Sequence, residues 1–338
     1  MTKFEKFLAS IPPAPFLVRR SKTLVLPGFR GLCLYDVVKF FFNQINRIGL
    51  RDRAAAVAFN FMMAIPATAI FLFTLIPYFP VAKNMQDELF SFIQSVMPNT
   101  ESRSLIMTTM LDLFNKPKTG LLSIGFILAL FYSSNAMLGI IRTFDASLIT
   151  KRKKYFMHRR LRAIKLTIVL VLLVIVTLFL CIGQGVLFKS FLHWIGVSDT
   201  KGNFWTELLR WFIVIALFFF SVAFIYKYAP SVPKRWKLWS PGAVFATFLI
   251  VLTTWLFSIW AQNFSSYNRV YGSIGALLIV MLFIFINSLM LLIGYELNVS
   301  INYLKQKIDE RNAQKKLEEE KTKMQMQVPF TENRIIKK

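Results

Sequence analysis

The sequence holds few of the residues from which catalytic and metal centres are commonly built. Two histidines, His158 and His193, and two cysteines, Cys33 and Cys181, are all it offers in 338 residues. The histidines stand far apart with no Cys or carboxylate cluster beside them, which argues against a zinc site. Cys33 falls near the basic, inward end of the chain and Cys181 in the outer half of an apolar run, so no disulfide is expected. Acidic residues are also scarce: 17 Asp and Glu stand against 41 Lys and Arg, for a net charge of +24. No G-x-S-x-G, H-E-x-x-H or Walker A sequence is present, and no span carries paired carboxylates. The expectation is a non-enzyme with no cofactor and no metal. ATP-driven pumping is excluded unless a partner supplies the ATPase.

Apolar residues are abundant. The chain is 55% hydrophobic and only 17% charged, with 35 Phe, and its mean hydropathy is +0.52. A soluble domain carries about a quarter charged residues. So little charge could not cover so much apolar surface in water; lipid as the solvent removes the difficulty.

Six apolar runs have about the 20 residues needed to cross a roughly 30 Å hydrocarbon core. They lie at approximately 54–79, 120–141, 166–188, 208–228, 240–262 and 272–296. The predicted fold is an all-α, polytopic six-helix membrane bundle over residues 31–300. A basic arm (1–30) precedes it and a charged tail (301–338) follows. The arm holds Pro12, Pro13, Pro15 and Pro27 and no apolar core of a cleavable signal. The first span is expected to serve as its own signal.

Charge alternates between the connections. Lys and Arg number ten in 1–53, nine in 142–165, four in 227–239 and ten in 297–338, against eight in all the other connections. The bias survives when the tails are cut to fifteen residues. It places both termini in the cytoplasm and accounts for the net charge without nucleic acid. The loop 142–165 is the most basic. Its Lys151, Arg152, Lys153, Lys154, Arg159, Arg160 and Arg162 are candidate contacts for anionic head groups on the cytoplasmic face, at about 1 kcal/mol per residue near the surface. Enforcing topology is the plainer role, and compatible.

Two segments are amphipathic. Over 31–50, Leu34, Val37, Val38, Phe41, Ile45 and Ile48 share one face, opposite Asp36, Lys39, Asn43, Asn46 and Arg47. This is an interfacial helix on the membrane surface, or a helix packed on the ends of the bundle. Over 80–119, Met85 to Val96 and Glu101 to Phe114 flank Pro98 as an external helical hairpin, either re-entrant or interfacial. The last helix is expected to extend briefly past Asn302 and fray, leaving a disordered tail from about Met324.

Polar groups within the spans are candidates for a substrate path, because lipid makes them costly. They are Asn60, Asn135, Arg142, Asp145, Asn287, Glu296 and Asn298, with Gln184, Gln262 and Asn263 as further polar positions. Arg142 and Asp145, three apart, could pair. The plainer roles are interhelical hydrogen bonding, at about 0.6–2 kcal/mol each, and snorkelling. Pro66 is expected to kink the first span. A weak echo relates Gly120 to Gly125, followed by Asn135, with Gly272 to Gly275, followed by Asn287. It suggests a repeated helix pair.

Several stretches together resemble the YihY/virulence factor BrkB family of bacterial inner-membrane proteins. They are Arg53-Ala-Ala-Ala-Val-Ala-Phe59 leading to Ile65-Pro66, Tyr226-Lys-Tyr-Ala-Pro230 followed by Ser240-Pro241-Gly242-Ala243, and Val270-Tyr-Gly-Ser-Ile-Gly275 ending in Leu292-Ile-Gly-Tyr-Glu296-Leu-Asn298. The likeness covers about residues 31–300. The chain departs from the family in carrying Asn60 where an aromatic is typical, Tyr295 where a small residue is usual, and a long N-terminal arm. The resemblance implies a six-helix fold in the bacterial cell (inner) membrane. It also implies an envelope role such as export of lipids or lipid-linked precursors; the old ribonuclease label for such proteins lacks a metal cluster here. A transporter- or flippase-like role for a lipid or amphiphile leads, with a non-transporting scaffold for envelope assembly as the alternative. Membrane lipids are the expected partners, and nucleic acid is not.

Overall fold

The computed structural model describes residues 31–75, 119–148, 156–182, 204–232, 236–262 and 265–327, together with a few isolated positions (24, 28, 29, 104, 107, 108 and 111). Among these residues all regular structure is helical. The helices are α1 (Leu34–Ile48), α2 (Leu50–Leu75), α3 (Thr119–Ser147), α4 (Phe156–Ile182), α5 (Phe204–Tyr228), α6 (Pro241–Gln262) and α7 (Ser265–Gln327). Five segments are long and apolar enough to cross a membrane: Leu50–Leu72, Gly120–Ser147, Trp211–Tyr228, Pro241–Ala261 and Leu277–Lys323. The run expected at 166–188 overlaps α4, and its end beyond Ile182 lies outside the described residues. So do most of the hairpin expected over 80–119, the loop lysines and most of the basic arm.

The chain divides into two compact units, one of residues 1–44 and 297–338, the other Ile45–Glu296. In the first, Val37 and Phe41 are buried while Asp36 and Asn43 are exposed, the division that the amphipathic pattern predicts. Phe40 stacks on Tyr303 at 5.1 Å. The apolar face of α1 is therefore packed on protein, which favours the packed-helix reading over a helix lying bare on lipid. Gly28 and Gly31 take φ of 92° and 82° in the turn ahead of α1, a region open to glycine at little cost.

The distal part of α7 departs from expectation. Instead of fraying soon after Asn302, the helix continues to Gln327. No Gly or Pro occurs between Gly294 and Pro329. Lys305 pairs with Asp309 at 3.1 Å and Gln306 donates to Glu310 at 3.1 Å, both at i,i+4. Such pairs support an exposed helix by a few tenths of a kcal/mol each.

In the second unit, small residues set the packing. Gly49, at φ 64°, breaks the chain between α1 and α2. Ala54, Val57, Ala58, Ala64 and Ala67 bury one face of α2. A Cβ on Gly125 of α3 would sit 3.4 Å from the Phe71 backbone, so α2 and α3 approach closely, as small residues allow in membranes. Pro66 lies inside α2 without ending it. At the start of α6, Ser240 caps the helix: its Oγ accepts from the Ala243 N–H at 3.3 Å, and Pro241 takes the first helical position. Gly294 of α7 is the tightest point. A Cβ there would meet Ala246 Cβ at 2.5 Å, the Gly242 carbonyl at 2.7 Å and Tyr226 Oη at 2.8 Å.

Candidate functional site

The ends of the helices facing the basic loops carry a layer of ionisable side chains within the second unit. Asp145, near the end of α3, is buried and fully engaged. Its Oδ1 accepts from the Ser231 N–H at 2.8 Å, and its Oδ2 from the Ser231 hydroxyl at 3.0 Å. Arg159 Nε of α4 stands 3.6 Å from the same Oδ2, an ion pair without hydrogen-bond geometry. Arg162, one turn on, donates from Nη1 to the Ala229 carbonyl at 3.0 Å and to Ser231 Oγ at 3.1 Å. The Ser231 hydroxyl thus relays between a cation and a carboxylate, and ties α3, α4 and the segment after α5 together.

Beside this network, Arg53 of α2 donates from Nη1 to Ser147 Oγ at 2.9 Å. Glu296 of α7 is 0% exposed, and neither carboxylate oxygen has a hydrogen-bond partner among the described residues. The groups acting on it are the Ser147 hydroxyl and the Arg53 guanidinium. A fully buried carboxylate is costly unless neighbours of this kind offset its lost hydration.

An aromatic layer adjoins the charges. Tyr295 stacks on Phe144 and donates its hydroxyl to the Phe144 carbonyl at 3.3 Å. Tyr226 meets both rings edge-on at 5.7 Å and donates to the Leu291 carbonyl. Trp236 lies 5.3 Å from Tyr295. Its buried indole N–H has no partner among the described residues.

The sequence-predicted candidates separate into groups. Asp145 and Glu296 belong to the charged layer. Arg142 does not pair with Asp145; it is exposed, and Asp145 is taken by Ser231 and Arg159. Asn60 donates to its own helix at the Ala56 carbonyl, 2.8 Å away, beside Gly139. Asn287 donates to the Phe283 carbonyl at 2.9 Å and accepts from Thr254 at 3.3 Å. Asn135 accepts from Arg160 Nη1. The three amides thus make separate bonds, and the echo between Asn135 and Asn287 does not extend to their partners. Asn298 is buried and belongs to the other unit. Of the candidate lipid contacts, Lys151, Arg152, Lys153 and Lys154 lie outside the described residues. Arg159, Arg160 and Arg162 all have protein partners.

Sequence reasoning did not single out Arg53, Ser147, Ser231, Tyr226, Tyr295 or Trp236 as site residues. The signal was present, since Arg53, Tyr226, Ala229, Gly242, Gly294 and Glu296 all fall within the stretches that carry the family resemblance. Those stretches, far apart in sequence, meet here. Among the described residues no three His, Cys, Asp or Glu side chains are placed to hold a metal ion.

The virulence factor BrkB family matches residues 41–320. The chain belongs to that family. It is 29% identical over 262 residues to the ribonuclease-like protein YfkH of Bacillus subtilis, covering 77% of this chain and 93% of that one. It is 30% identical over 102 residues to a UPF0761 membrane protein of Xanthomonas oryzae, covering 30% of this chain and 24% of the relative. A UPF0761 membrane protein of Xanthomonas campestris gives 30% over 103 residues, with the same coverages. The chain spans about a quarter of the length of these Xanthomonas relatives. No solved structure matches it. The BrkB family chain is thus a membrane protein, and neither the family description nor the Xanthomonas names denote an enzyme.

Proposed function

We propose that the chain is a transporter- or flippase-like protein of the bacterial cell membrane, acting on a lipid or another amphiphilic envelope component. In this reading it has six spans, with both termini in the cytoplasm. The supporting observation is Glu296, wholly buried in an apolar helix with neither oxygen hydrogen-bonded among the described residues, and with only the Ser147 hydroxyl and the Arg53 charge acting on it. Intramembrane ionisable groups are expensive, and they mark ligand and ion paths more often than structure. Glu296 differs from its neighbour Asp145 in this respect. Asp145 is saturated and holds helices together, whereas Glu296 keeps acceptor capacity for a visitor. An amphiphile could approach from the bilayer along the wide exposed apolar faces of α3, α4 and α6.

The test is a leaflet-resolved flipping assay with purified protein in liposomes and head-group-labelled lipids. Acceleration over empty liposomes, reduced roughly tenfold in E296A at equal reconstitution, is the expected result. No acceleration across several lipid classes overturns the proposal.

The second reading is a non-transporting scaffold for envelope assembly. The Asp145–Ser231–Arg162 network favours it, because a saturated network rigidifies. Under that reading E296A folds normally and no lipid is flipped. Ribonuclease activity, the term carried in the YfkH name, finds no support in the chemistry of the charged layer.

A further inference from the structure

We propose that Arg160, oriented by Asn135 and Phe131, is the seat for the phosphate head group of a membrane amphiphile. The inference rests on the lipid-handling reading above and narrows its substrate class to phosphate-bearing amphiphiles.

The first argument is position. Arg160 donates to Asn135 Oδ1, and its guanidinium carbon lies 5.0 Å from the centre of the Phe131 ring. Asn135 is inside the membrane-length segment Gly120–Ser147, about 18 Å along the helix from Ser147 at 1.5 Å per residue. Ile124, Leu128, Phe131 and Asn135 fall on one face of α3 by the helical period. The first three are 58%, 42% and 49% exposed. On α4, Met157 and Leu161 flank Arg160 and are exposed as well. The guanidinium therefore sits among side chains that lipid covers.

The second argument is charge. Among the described residues no carboxylate lies within 4.0 Å of Arg160. Asp145 is occupied by Ser231 and Arg159, and no acidic residue follows it in the sequence until Asp199. Asn135 is neutral, and Phe131 offers only the negative face of its ring. A half-buried guanidinium beside an apolar face, with no counter-charge among the described residues, is costly. An anionic ligand would supply the charge that the described residues do not.

The third argument is fit. A guanidinium presents five N–H donors in a planar fork that matches phosphate oxygens in pairs. Asn135 takes one Nη1 donor and the Phe131 ring lies beside the guanidinium, which leaves the other donors of the fork for an anion. A free phosphate would have to shed its water to enter this apolar face. A lipid phosphate arrives already anchored, with acyl chains to cover Ile124, Leu128, Met157 and Leu161.

The test uses the full chain in phosphatidylcholine vesicles doped with either phosphatidic acid or diacylglycerol. These share acyl chains and differ in the phosphate. Lipid retained through gentle solubilisation is counted by native mass spectrometry. Wild type should retain phosphatidic acid over diacylglycerol, and R160Q should lose roughly tenfold of that preference. R160K should keep part of it, and millimolar inorganic phosphate should not displace the lipid. Equal retention of the two lipids, equal retention in R160Q, or displacement by inorganic phosphate overturns the site. Should R160Q fail to fold, the wild-type comparison, the phosphate competition and R160K still decide. Retention without flipping would overturn the transport reading alone. Flipping without Arg160-dependent retention would overturn this site alone.

Discussion

The rings of Phe144 and Tyr295 lie parallel, 3.7 Å apart and 2° from coplanar orientation, while the Tyr295 hydroxyl donates to the Phe144 carbonyl. One side chain thus contributes both a stacking face and a hydrogen bond, and substitutions can separate the two. Y295F keeps the face and should cost about 0.5–1.5 kcal/mol. Y295A removes the ring and should cost about 3–5 kcal/mol. Thermal unfolding in detergent, followed by intrinsic fluorescence, measures both. Equal losses would mean that the ring contact contributes nothing.

Gly294 has no room for a methyl group, because two of its neighbours are backbone or Cβ atoms of α6. G294A should therefore destabilise by about 1–3 kcal/mol. Gly120, where a Cβ would meet nothing within 4 Å, is the control; G120A should unfold at or slightly above the wild-type temperature.

Asp145 and Glu296 should respond to loss of charge to very different degrees. D145A strands the Ser231 N–H, the Ser231 hydroxyl and Arg159, and should cost about 3–5 kcal/mol. E296Q breaks no hydrogen bond seen among the described residues and should change stability by less than about 1 kcal/mol. Paired denaturation curves check this. A collapse of E296Q comparable to D145A would show that Glu296 is a structural ion-pair partner after all.

Residues 306–323 are exposed helix, and Lys305–Asp309 and Gln306–Glu310 form i,i+4 pairs along it. Truncation after Leu304 should lower the helical circular dichroism signal but leave the unfolding temperature of the remainder within a few degrees, since exposed pairs of this kind contribute little. A drop of the kind expected for D145A would contradict this.

Five membrane-length helices were legible because lipid demands long apolar runs. Asp145 and Glu296 stood out for the same reason: a carboxylate beside an apolar run is conspicuous. Their partners were not. Ser147 and Ser231 are ordinary in sequence, and only the approach of α3 to the segment after α5 makes Ser231 a relay. The expected Arg142–Asp145 pair failed because spacing along one helix cannot show that a neighbouring chain segment already holds the carboxylate. The long run of α7 was missed because a polar composition suggested fraying, while the absence of Gly and Pro with i,i+4 pairing allowed the helix to continue. Arg160 was read as a surface charge from the company it keeps in the loop. Its reach to Asn135 depends on where α4 crosses α3, which no periodicity reveals.

Gly294 also bears on how this protein could move. Helices separated by side chains can slide past one another as rotamers exchange. Around Gly294, α5, α6 and α7 meet through a tyrosine hydroxyl, a carbonyl and a Cβ with no such cushion, so they behave as a fixed block. A side chain added at Gly294 would therefore be felt by all three helices at once, because no rotamer there can turn aside to absorb it. The one missing methyl group sets how closely three separate stretches of the chain can approach.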